Sequence, residues 1–293
     1  MYPYPFSYHR PGTLSDALTL IGELGDEGKV MAGGQSLLPI MKLRLAQPAH
    51  LIDITGIEDL NGIREVDGGV EIGALVTHRD ILTSPVLAAK VGLLTEMAHV
   101  VGDQQVRNRG TIGGTLAHAD PAADYPAGML ALDATIVAIG PDGSREIAAT
   151  DFFTGLLETS LNAGELISAV RVPVLGDRTG FRYEKVANPA SGYATVGVAA
   201  VVTVADDGSI SDARIGITGA SDVAWRAVAV ESALVGTTPS DESLREAAKL
   251  AIDNQDMMSD VHASAEYRER VTRNLVFRAV KHAIADATGQ TYA

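Results

Sequence analysis

The sequence predicts an α+β fold in two parts, residues 1–176 and residues 177–293. In the first part, strand-like runs and helical patterns follow one another in irregular order. From residue 181 onward, three long strand-like runs precede a stretch in which the apolar spacing is helical. This second pattern favours an antiparallel sheet followed by a group of helices.

The first part is predicted to begin with a helix and to continue as strands interrupted by helices. Apolar residues from Leu14 to Leu24 recur at helical spacing, and Thr13 with Asp16 resembles a capping box. Alternation of apolar and polar residues, together with turn signals, predicts the other elements. These are strands at 29–32, 50–54 and 70–76, helices starting at 77 and covering 85–100, a hairpin of 134–139 with 144–148, and a strand at 167–172.

The second part follows a predicted linker at residues 173–180. The run Asp-Asp-Gly-Ser at 206–209 is a hairpin turn signal between two apolar runs rich in β-branched residues. The predicted elements are strands at 181–186, 193–205 and 210–218, and helices at 224–234, 241–253 and 265–287.

The charge balance limits the partners of this chain. Its 293 residues include 23 Lys and Arg against 37 Asp and Glu, a formal net charge of −14. Phosphate backbones and anionic lipid surfaces are bound by clustered Lys and Arg, so neither is expected as the main partner. A local phosphate site built from backbone N–H groups remains compatible with this charge.

The chain contains no cysteine, which excludes disulfides, thiolate catalysis and iron–sulfur clusters ligated by its own side chains. Its first residues show no basic region followed by an apolar run, as a signal peptide would. The longest nearly apolar run, 194–205, is too short to span a bilayer as a helix. We therefore expect a cytoplasmic protein that is not integral to a membrane.

Two glycine pairs, each flanked by hydroxyl residues, are the candidate binding motifs. Neither has the spacing of a Walker loop or of a Rossmann dinucleotide fingerprint. Paired glycines let consecutive N–H groups approach one anion, so two such loops could hold the two phosphates of a pyrophosphate. A valine at Gly34 or Gly113 would then occupy the place of a phosphate. The alternative is two tight turns that bind nothing. The pairs are Ala32-Gly33-Gly34-Gln35-Ser36 and Thr111-Ile112-Gly113-Gly114-Thr115.

Three further segments accompany these motifs at characteristic spacing. Residues 29–37 read Lys-Val-Met-Ala-Gly-Gly-Gln-Ser-Leu, 109–115 read Arg-Gly-Thr-Ile-Gly-Gly-Thr, and 118–124 read His-Ala-Asp-Pro-Ala-Ala-Asp. With the Pro-Gly-Thr-Leu-Ser-Asp-Ala run at 11–17 and the Asp-x-His-x-Ser-x-x-Tyr-Arg run at 260–268, the chain resembles the FAD-binding medium subunits of the molybdenum hydroxylase (xanthine oxidase) family. It is most similar to the carbon monoxide dehydrogenase branch.

The resemblance implies an architecture and a set of FAD contacts. Residues 1–176 would form a PCMH-type domain, related to vanillyl-alcohol oxidase, with sub-lobes at about 1–55 and 56–176. Residues 177–293 would form a domain like the carbon monoxide dehydrogenase flavoprotein C-terminal domain. The glycine motifs would hold the pyrophosphate of FAD, and Tyr193 would cover its ring. We expect noncovalent binding, because the chain has no cysteine for a thioether link and no motif position requires a histidyl link. The implied contacts are Lys29, Ala32, Gly33, Gly34, Gln35, Ser36, Thr111, Ile112, Gly113, Gly114, Thr115, Asp124, Lys185 and Tyr193.

The same resemblance implies that this chain relays electrons and needs no catalytic acid, base or nucleophile of its own. A large partner subunit would hold the molybdenum cofactor, and a small one two [2Fe–2S] clusters, in a dimer of heterotrimers. FAD would pass electrons to an external acceptor such as a quinone. The leading overall reaction is oxidation of carbon monoxide, and the alternative is hydroxylation of an aromatic or N-heterocyclic substrate. The complex could associate peripherally with a membrane.

Two other functional classes compete with this interpretation. His118, Asp120 and Asp124 are suitable ligands for a metal-dependent hydrolase, although no second ligand motif supports them. Alternatively, the chain could be a docking protein without a flavin, which the two intact glycine pairs disfavour.

Charged and polar residues near the C-terminus admit structural explanations. Asp260, His262 and Ser264 suggest a catalytic triad, but helix capping by Ser264 explains them more simply. Arg107 and Arg109 could lie at the surface, near the cofactor or at a subunit contact. The last predicted helix is locally basic, as a solvated face or a subunit contact would be. Its basic residues are Arg268, Arg270, Arg273, Arg278 and Lys281.

Overall fold

A computed structural model describes residues 2–290, and these residues have the predicted α+β fold. Within this range the strands form a three-stranded, a five-stranded and a four-stranded sheet and one two-stranded ribbon. The first two sheets precede residue 177, and the four-stranded sheet follows it.

The first sheet is small and parallel. Its elements and the helices beside it are β1 Ser7–His9, α1 Leu14–Leu24, β2 Gly28–Met31, α2 Leu37–Lys42 and β3 His50–Asp53. The strand order is β1-β3-β2. The Thr13 side chain accepts a hydrogen bond from the N–H of Asp16, which confirms the predicted start of α1. Strand β2 leads directly into the first glycine pair, and α2 follows that pair.

The second sheet is antiparallel and carries a long helical insertion. Its elements are β4 Ile63–Val66, β5 Gly69–Gly73, α3 His78–Thr83, α4 Pro85–Lys90, α5 Gly92–Val100, α6 Gln104–Arg107, α7 Ile112–His118, α8 Tyr125–Ala131, β6 Thr135–Gly140, β7 Gly143–Ala148, α9 Ala149–Phe152, β8 Phe153–Gly155, β9 Glu158–Thr159 and β10 Leu166–Pro173. Strand order is β4-β5-β10-β6-β7, while β8 and β9 form the ribbon. The helices between β5 and β6 carry the second glycine pair.

The third sheet is antiparallel and is covered by the C-terminal helices. Its elements are β11 Thr179–Ala187, β12 Ala194–Val204, β13 Ile210–Thr218, β14 Trp225–Arg226, α10 Val228–Leu234, α11 Asp241–Ala248 and α12 Ala265–Ala287. Strand order is β11-β12-β13-β14. Helix α12 covers the predicted range, because the Ser264 side chain caps it by accepting from the N–H of Tyr267 at 3.3 Å.

Three predicted helices are shorter or divided in the structure. The helix predicted at 85–100 breaks between α4 and α5, where a Cβ on Gly92 would lie 2.4 Å from the Phe181 ring. The helix predicted at 224–234 begins only at Val228, because Trp225–Arg226 pairs with β13 instead. The helix predicted at 241–253 ends at Ala248 and continues as a 3-10 turn.

Close packing of α8 on β13 joins the N-terminal and C-terminal sheets. A Cβ on Gly216 would lie 2.0 Å from the carbonyl oxygen of Ala127, so only glycine allows this approach. The Thr218 hydroxyl donates to the carbonyl oxygens of Pro121 and Ala123, at 2.7 and 2.8 Å. The segment leading to Asp124 is therefore held where the two sheet systems meet.

Candidate flavin-binding site

The two glycine pairs, far apart in sequence, meet in the structure. A Cβ on Gly33 would lie 1.9 Å from the carbonyl oxygen of Arg109, immediately before the second pair. A Cβ on Gly114 would lie 3.7 Å from the Cβ of Ala32. Real Cβ atoms do not approach a carbonyl oxygen so closely, so glycine at position 33 is what allows the two motifs to touch.

The first pair presents backbone donors that the protein does not use. Between β2 and α2, Gly34 has a φ of +73°, in the left-handed region that favours glycine. Across residues 2–290, the N–H groups of Gly33, Gly34, Gln35 and Ser36 donate to no protein acceptor. Consecutive unpaired N–H groups beside glycines form a concavity that suits a phosphate.

The second pair lies in the first turn of α7 rather than in a loop. The N–H groups of Ile112 and Gly113 donate to the carbonyl oxygens of Val76 and Ala74, at 3.1 and 3.0 Å. The N–H of Gly114 donates to Thr111 Oγ1 at 3.1 Å, which caps the helix. The expectation that both pairs direct free N–H groups at an anion is therefore wrong for this pair. Its protein contacts already use those donors.

A side chain on Gly34 or on Gly113 would first meet protein atoms, so the effect of valine on a phosphate stays a prediction. A Cβ on Gly34 would lie 3.0 Å from Leu38 Cδ1, and one on Gly113 would lie 2.5 Å from the Cβ of Ala74. A larger side chain at either position would collide with neighbouring protein atoms. At Gly113 the nearest atoms include the backbone of Ala74, whereas at Gly34 they are the side chains of Leu38 and Met31.

The other motif residues of the glycine segments contribute in different ways. Thr115 Oγ1 donates to the carbonyl oxygen of Thr111 at 3.1 Å and lies 3.5 Å from His78 Nε2. Gln35 is exposed, and its amide reaches only the carbonyl oxygen of Gly33, at 3.4 Å. Lys29 is exposed on β2. The side chains of Gln35 and Lys29 are therefore not fixed by strong contacts within residues 2–290.

Asp124 and Lys185 form a buried charged pair near the first turn of α8. Lys185 Nζ lies 2.8 Å from Asp124 Oδ1 and 2.9 Å from Oδ2, and it also donates to the carbonyl oxygen of Val100. Tyr183 donates its hydroxyl to Asp124 Oδ1 at 2.5 Å. Burial raises the pKa of Asp124, while Lys185 and then Tyr183 oppose that rise by favouring the carboxylate.

Tyr193 connects this charged pair with the first glycine motif. It lies just before β12 in a loop where the N–H of Asn188 donates to its carbonyl oxygen at 2.7 Å. Burial raises the pKa of Tyr193, a hydrogen bond with Ser36 lowers it, and the charges of Asp120 and Asp124 raise it. The structure thus brings together Ser36, Asp124, Lys185 and Tyr193 from four separate segments.

Tyr183 is the residue of this cluster that the sequence interpretation missed. It is two residues from Lys185 on β11, and alternate residues of a strand share a face. The two-residue spacing of Tyr183 and Lys185 could have indicated this role, since two side chains on one face of a strand can bond to the same carboxylate.

The metal and triad alternatives find no support in the described residues. Asp124 is occupied by Tyr183 and Lys185, and His118 Nε2 lies 3.9 Å from Asp120. Between residues 2 and 290, no group of three or more His, Cys, Asp or Glu side chains is arranged to hold a metal ion.

The Asp260 segment has a structural role. Asp260 accepts from the N–H groups of His262 and Ala263, at 2.8 and 2.9 Å, and from Arg268 at 2.7 Å. Ser264 caps α12, which confirms the capping interpretation.

Most of the conspicuous basic residues make intramolecular contacts. Arg107 donates to three carbonyl oxygens at the C-terminal end of α5 and just after it, while the Arg109 side chain is exposed. Arg268 is buried and donates to the carbonyl oxygens of Thr195 and Gly219, so a fully solvated face is the wrong description of α12. Arg278 and Lys281 pair with acidic residues of neighbouring elements.

Comparison with known proteins assigns the chain to a family. Residues 4–175 match the model for the FAD binding domain in molybdopterin dehydrogenase, and residues 181–283 match the CO dehydrogenase flavoprotein C-terminal domain. The chain therefore belongs to the family of FAD-binding medium subunits of molybdenum hydroxylases. Its cofactor is FAD, and it is an oxidoreductase subunit.

Three comparisons, one by sequence and two by structure, illustrate the range of this similarity. The carbon monoxide dehydrogenase medium chain of Hydrogenophaga pseudoflava is 40% identical over 285 residues, 97% of this chain and 99% of that protein. One matching structure is carbon monoxide dehydrogenase from Hydrogenophaga pseudoflava lacking the Mo-pyranopterin moiety. It matches with a TM-score of 0.95 and 42% identity, over 98% of this chain and 99% of that chain. The structure of quinoline 2-oxidoreductase from Pseudomonas putida 86 matches with a TM-score of 0.92 and 33% sequence identity. The match covers 100% of this chain and 100% of that chain.

Proposed function

We propose that this chain takes electrons from [2Fe–2S] clusters of a partner subunit and passes them, through FAD, to an external acceptor such as a quinone. The observation that supports this most directly is the row of unpaired N–H groups at residues 33–36. Those donors fit the pyrophosphate of FAD, whose ring supplies the electron-carrying chemistry when bound. No side chain of this chain is assigned a catalytic role.

The proposed contacts divide between the two ends of FAD. The backbone of residues 32–36 binds the pyrophosphate, with the hydroxyl residues of the 111–115 segment beside it. Asp124, Lys185 and Tyr193 contact the isoalloxazine end, as the family resemblance implies, and they converge at the junction of the sheets. Lys29 supplies positive charge near the phosphates. The protein thus binds and orients FAD and tunes its ring.

FAD is proposed to be bound noncovalently. The chain contains no cysteine for a thioether link. Precipitation of the native protein with acid should release all flavin into the supernatant. Yellow colour that remains in the washed pellet would contradict noncovalent binding.

The proposed complex contains a large molybdenum subunit and a small subunit with two [2Fe–2S] clusters, as a dimer of heterotrimers. Carbon monoxide is the proposed substrate, because the chain is 40% identical to a carbon monoxide dehydrogenase medium chain over nearly its whole length. A heterocyclic substrate is the alternative, favoured by the match to quinoline 2-oxidoreductase. The PCMH-type domain is proposed to end at 176 and the C-terminal domain to begin at 177.

The complex is proposed to lie in the cytoplasm, with peripheral membrane association through its other subunits. No helix within residues 2–290 is both long and apolar enough to cross a membrane. Fractionation of host cells would test this placement. Release of the chain from membranes by salt is expected, whereas release only by detergent would contradict it.

Purification of the chain from its native host, with its attached subunits, tests the proposal. Flavin absorption, released FAD identified by mass, and co-purifying molybdenum and iron are the expected results. Reduction of the flavin by carbon monoxide, but not by quinoline, would support the proposed substrate. A colourless preparation that stays colourless after addition of FAD would contradict the function.

A further inference from the structure

The buried cluster at the sheet junction contains a residue with no assigned role toward the flavin. Tyr183 is 7% exposed, and its hydroxyl donates to Asp124 Oδ1 at 2.5 Å. Lys185, on the same face of β11, donates to the other carboxylate oxygen at 2.9 Å. Both oxygens of Asp124 are therefore held from one strand, which fixes the direction of the carboxylate.

A glycine on the adjacent strand makes room for this hydroxyl. Gly197 is the cross-strand partner of Lys185, and a Cβ there would lie 2.3 Å from the Tyr183 hydroxyl oxygen. Any other residue would push the hydroxyl out of its present position. Both the glycine at position 197 and the hydrogen bond to Asp124 therefore depend on the same position of the Tyr183 hydroxyl.

We propose that Tyr183 is a positioning residue of the flavin site, which keeps Asp124 as a carboxylate paired with Lys185 and thereby sets the reduction potential of bound FAD. This inference rests on the proposed function, in which Asp124 and Lys185 contact the flavin. Charge near the ring tunes its potential, because reduction adds negative charge to it. When Asp124 takes up a proton, the positive charge of Lys185 is no longer balanced, and the reduced flavin becomes more favourable.

The direction of the effect follows from the groups that face Asp124. Lys185 and Tyr183 face it from β11, Tyr193 from the loop before β12, and Tyr125 from the adjacent position of its own segment. Burial raises the pKa of Tyr183 well above its ordinary value, so this hydroxyl remains a donor at physiological pH. Loss of the hydroxyl therefore raises the pKa of Asp124, and the carboxyl is protonated at a higher pH than in the wild type.

The substitution Tyr183→Phe tests this with a matched control, Tyr125→Phe. Tyr125 is equally buried and adjacent to Asp124, but its hydroxyl has no partner within the described residues. The readout is the midpoint potential of FAD against pH, in full-length chain purified with its accompanying subunits. The potential rises as pH falls because reduction of FAD takes up protons, and protonation of Asp124 adds a break in the slope. In Tyr183→Phe, we expect this break to move up by about one pH unit, as for loss of one hydrogen bond to a charge. The Tyr125→Phe profile should follow the wild type.

Two further variants separate positioning from packing. Gly197→Ala keeps the hydroxyl but displaces it, and it should shift the profile in the same direction as Tyr183→Phe. In an Asp124→Asn background, Tyr183→Phe should add no further shift. An unchanged profile in Tyr183→Phe with full FAD content would overturn the inference alone. Absence of FAD from the wild-type chain would instead overturn the proposed function.

Discussion

The two glycine pairs share a sequence pattern but differ in what their backbones do. In the first pair, the N–H groups of residues 33–36 have no acceptor among the described residues. In the second pair, the corresponding donors are used by Ala74, Val76 and Thr111. The first pair is thus equipped to bind an anion, and the second is equipped to fit closely against the end of β5. A Gly-Gly motif flanked by hydroxyls therefore does not by itself identify a phosphate-binding backbone.

The largest expected effect comes from separating the two pairs. Gly33→Ala would place a Cβ 1.9 Å from the carbonyl oxygen of Arg109, which forces backbone apart. We expect loss of bound FAD and destabilisation by more than about 4 kcal/mol, measured by urea unfolding and flavin content. Gly22→Ala, where nothing lies within 4 Å, is the control and should retain both. Normal FAD content and stability in Gly33→Ala would show that the pairs need not touch.

A smaller loss of stability should follow from adding a methyl group where Gly113 packs against Ala74. In Gly113→Ala, the new methyl group would lie 2.5 Å from the Cβ of Ala74. We expect destabilisation of about 3 kcal/mol from overpacking, with FAD affinity reduced only as far as the fold is disturbed. Unfolding in the absence and presence of FAD separates these effects. If stability were unchanged and only FAD binding were lost, the second pair would be a direct ligand after all.

Acid should destabilise the folded chain through His78, whose Nε2 lies 3.5 Å from Thr115 Oγ1 of the second motif. Burial lowers the pKa of His78 to about 4, and its Nε2 lies 2.6 Å from a Cβ placed on Gly110. The unfolded chain binds this proton near the ordinary value of 6.5, so stability falls as pH decreases from 6.5 toward 4. Between pH 6.5 and pH 5 the loss should be about 2 kcal/mol.

The free energy of unfolding at pH 7 and pH 5 measures this loss. A His78→Asn variant should lose less stability between these pH values than the wild type. An exposed histidine provides the control, and His99→Asn should leave the wild-type pH dependence intact. Equal pH dependence in all three proteins would show that His78 is not the responsible group.

The smallest effect is expected at the side chain that follows the first pair. Gln35 is exposed and bonds only to the carbonyl oxygen of Gly33, at 3.4 Å. If the first pair binds through its backbone, Gln35→Ala should change the dissociation constant for FAD by less than about threefold, as expected for loss of a weak neutral hydrogen bond. Fluorescence titration of apoprotein measures this. A loss of about 100-fold would indicate side-chain recognition instead.

Features encoded by local signals were predictable from the sequence. Helix α12 begins and ends as predicted, because Ser264 is a strong cap and the apolar spacing is continuous. The 206–209 turn and the strands on either side of it are likewise local. The convergence of Asp124, Lys185 and Tyr193 rested on resemblance alone, since no local signal links residues so distant in sequence.

Features decided by tertiary contacts were not predictable in the same way. Gly92, just after the break at Val91, packs closely against the Phe181 ring, from a strand far along the chain. Trp225 leaves the helical pattern because it pairs with β13 and donates its indole N–H to the carbonyl oxygen of Ala251. The N–H groups of Ile112 and Gly113 donate to carbonyl oxygens just after β5, and the motif itself does not encode the position of that segment.

The approach of α8 to Gly216 constrains how such subunits can be recombined. The carbonyl oxygen of Ala127 occupies the space that a β-carbon at position 216 would need. A chimaera that exchanges only residues after 176 would pair a foreign β13 with the resident α8, and any donor lacking glycine there would force them apart. A cut before Asp124 would instead separate β5 from its partner strand β10, so the cut belongs after β10 and the donor must supply glycine at position 216.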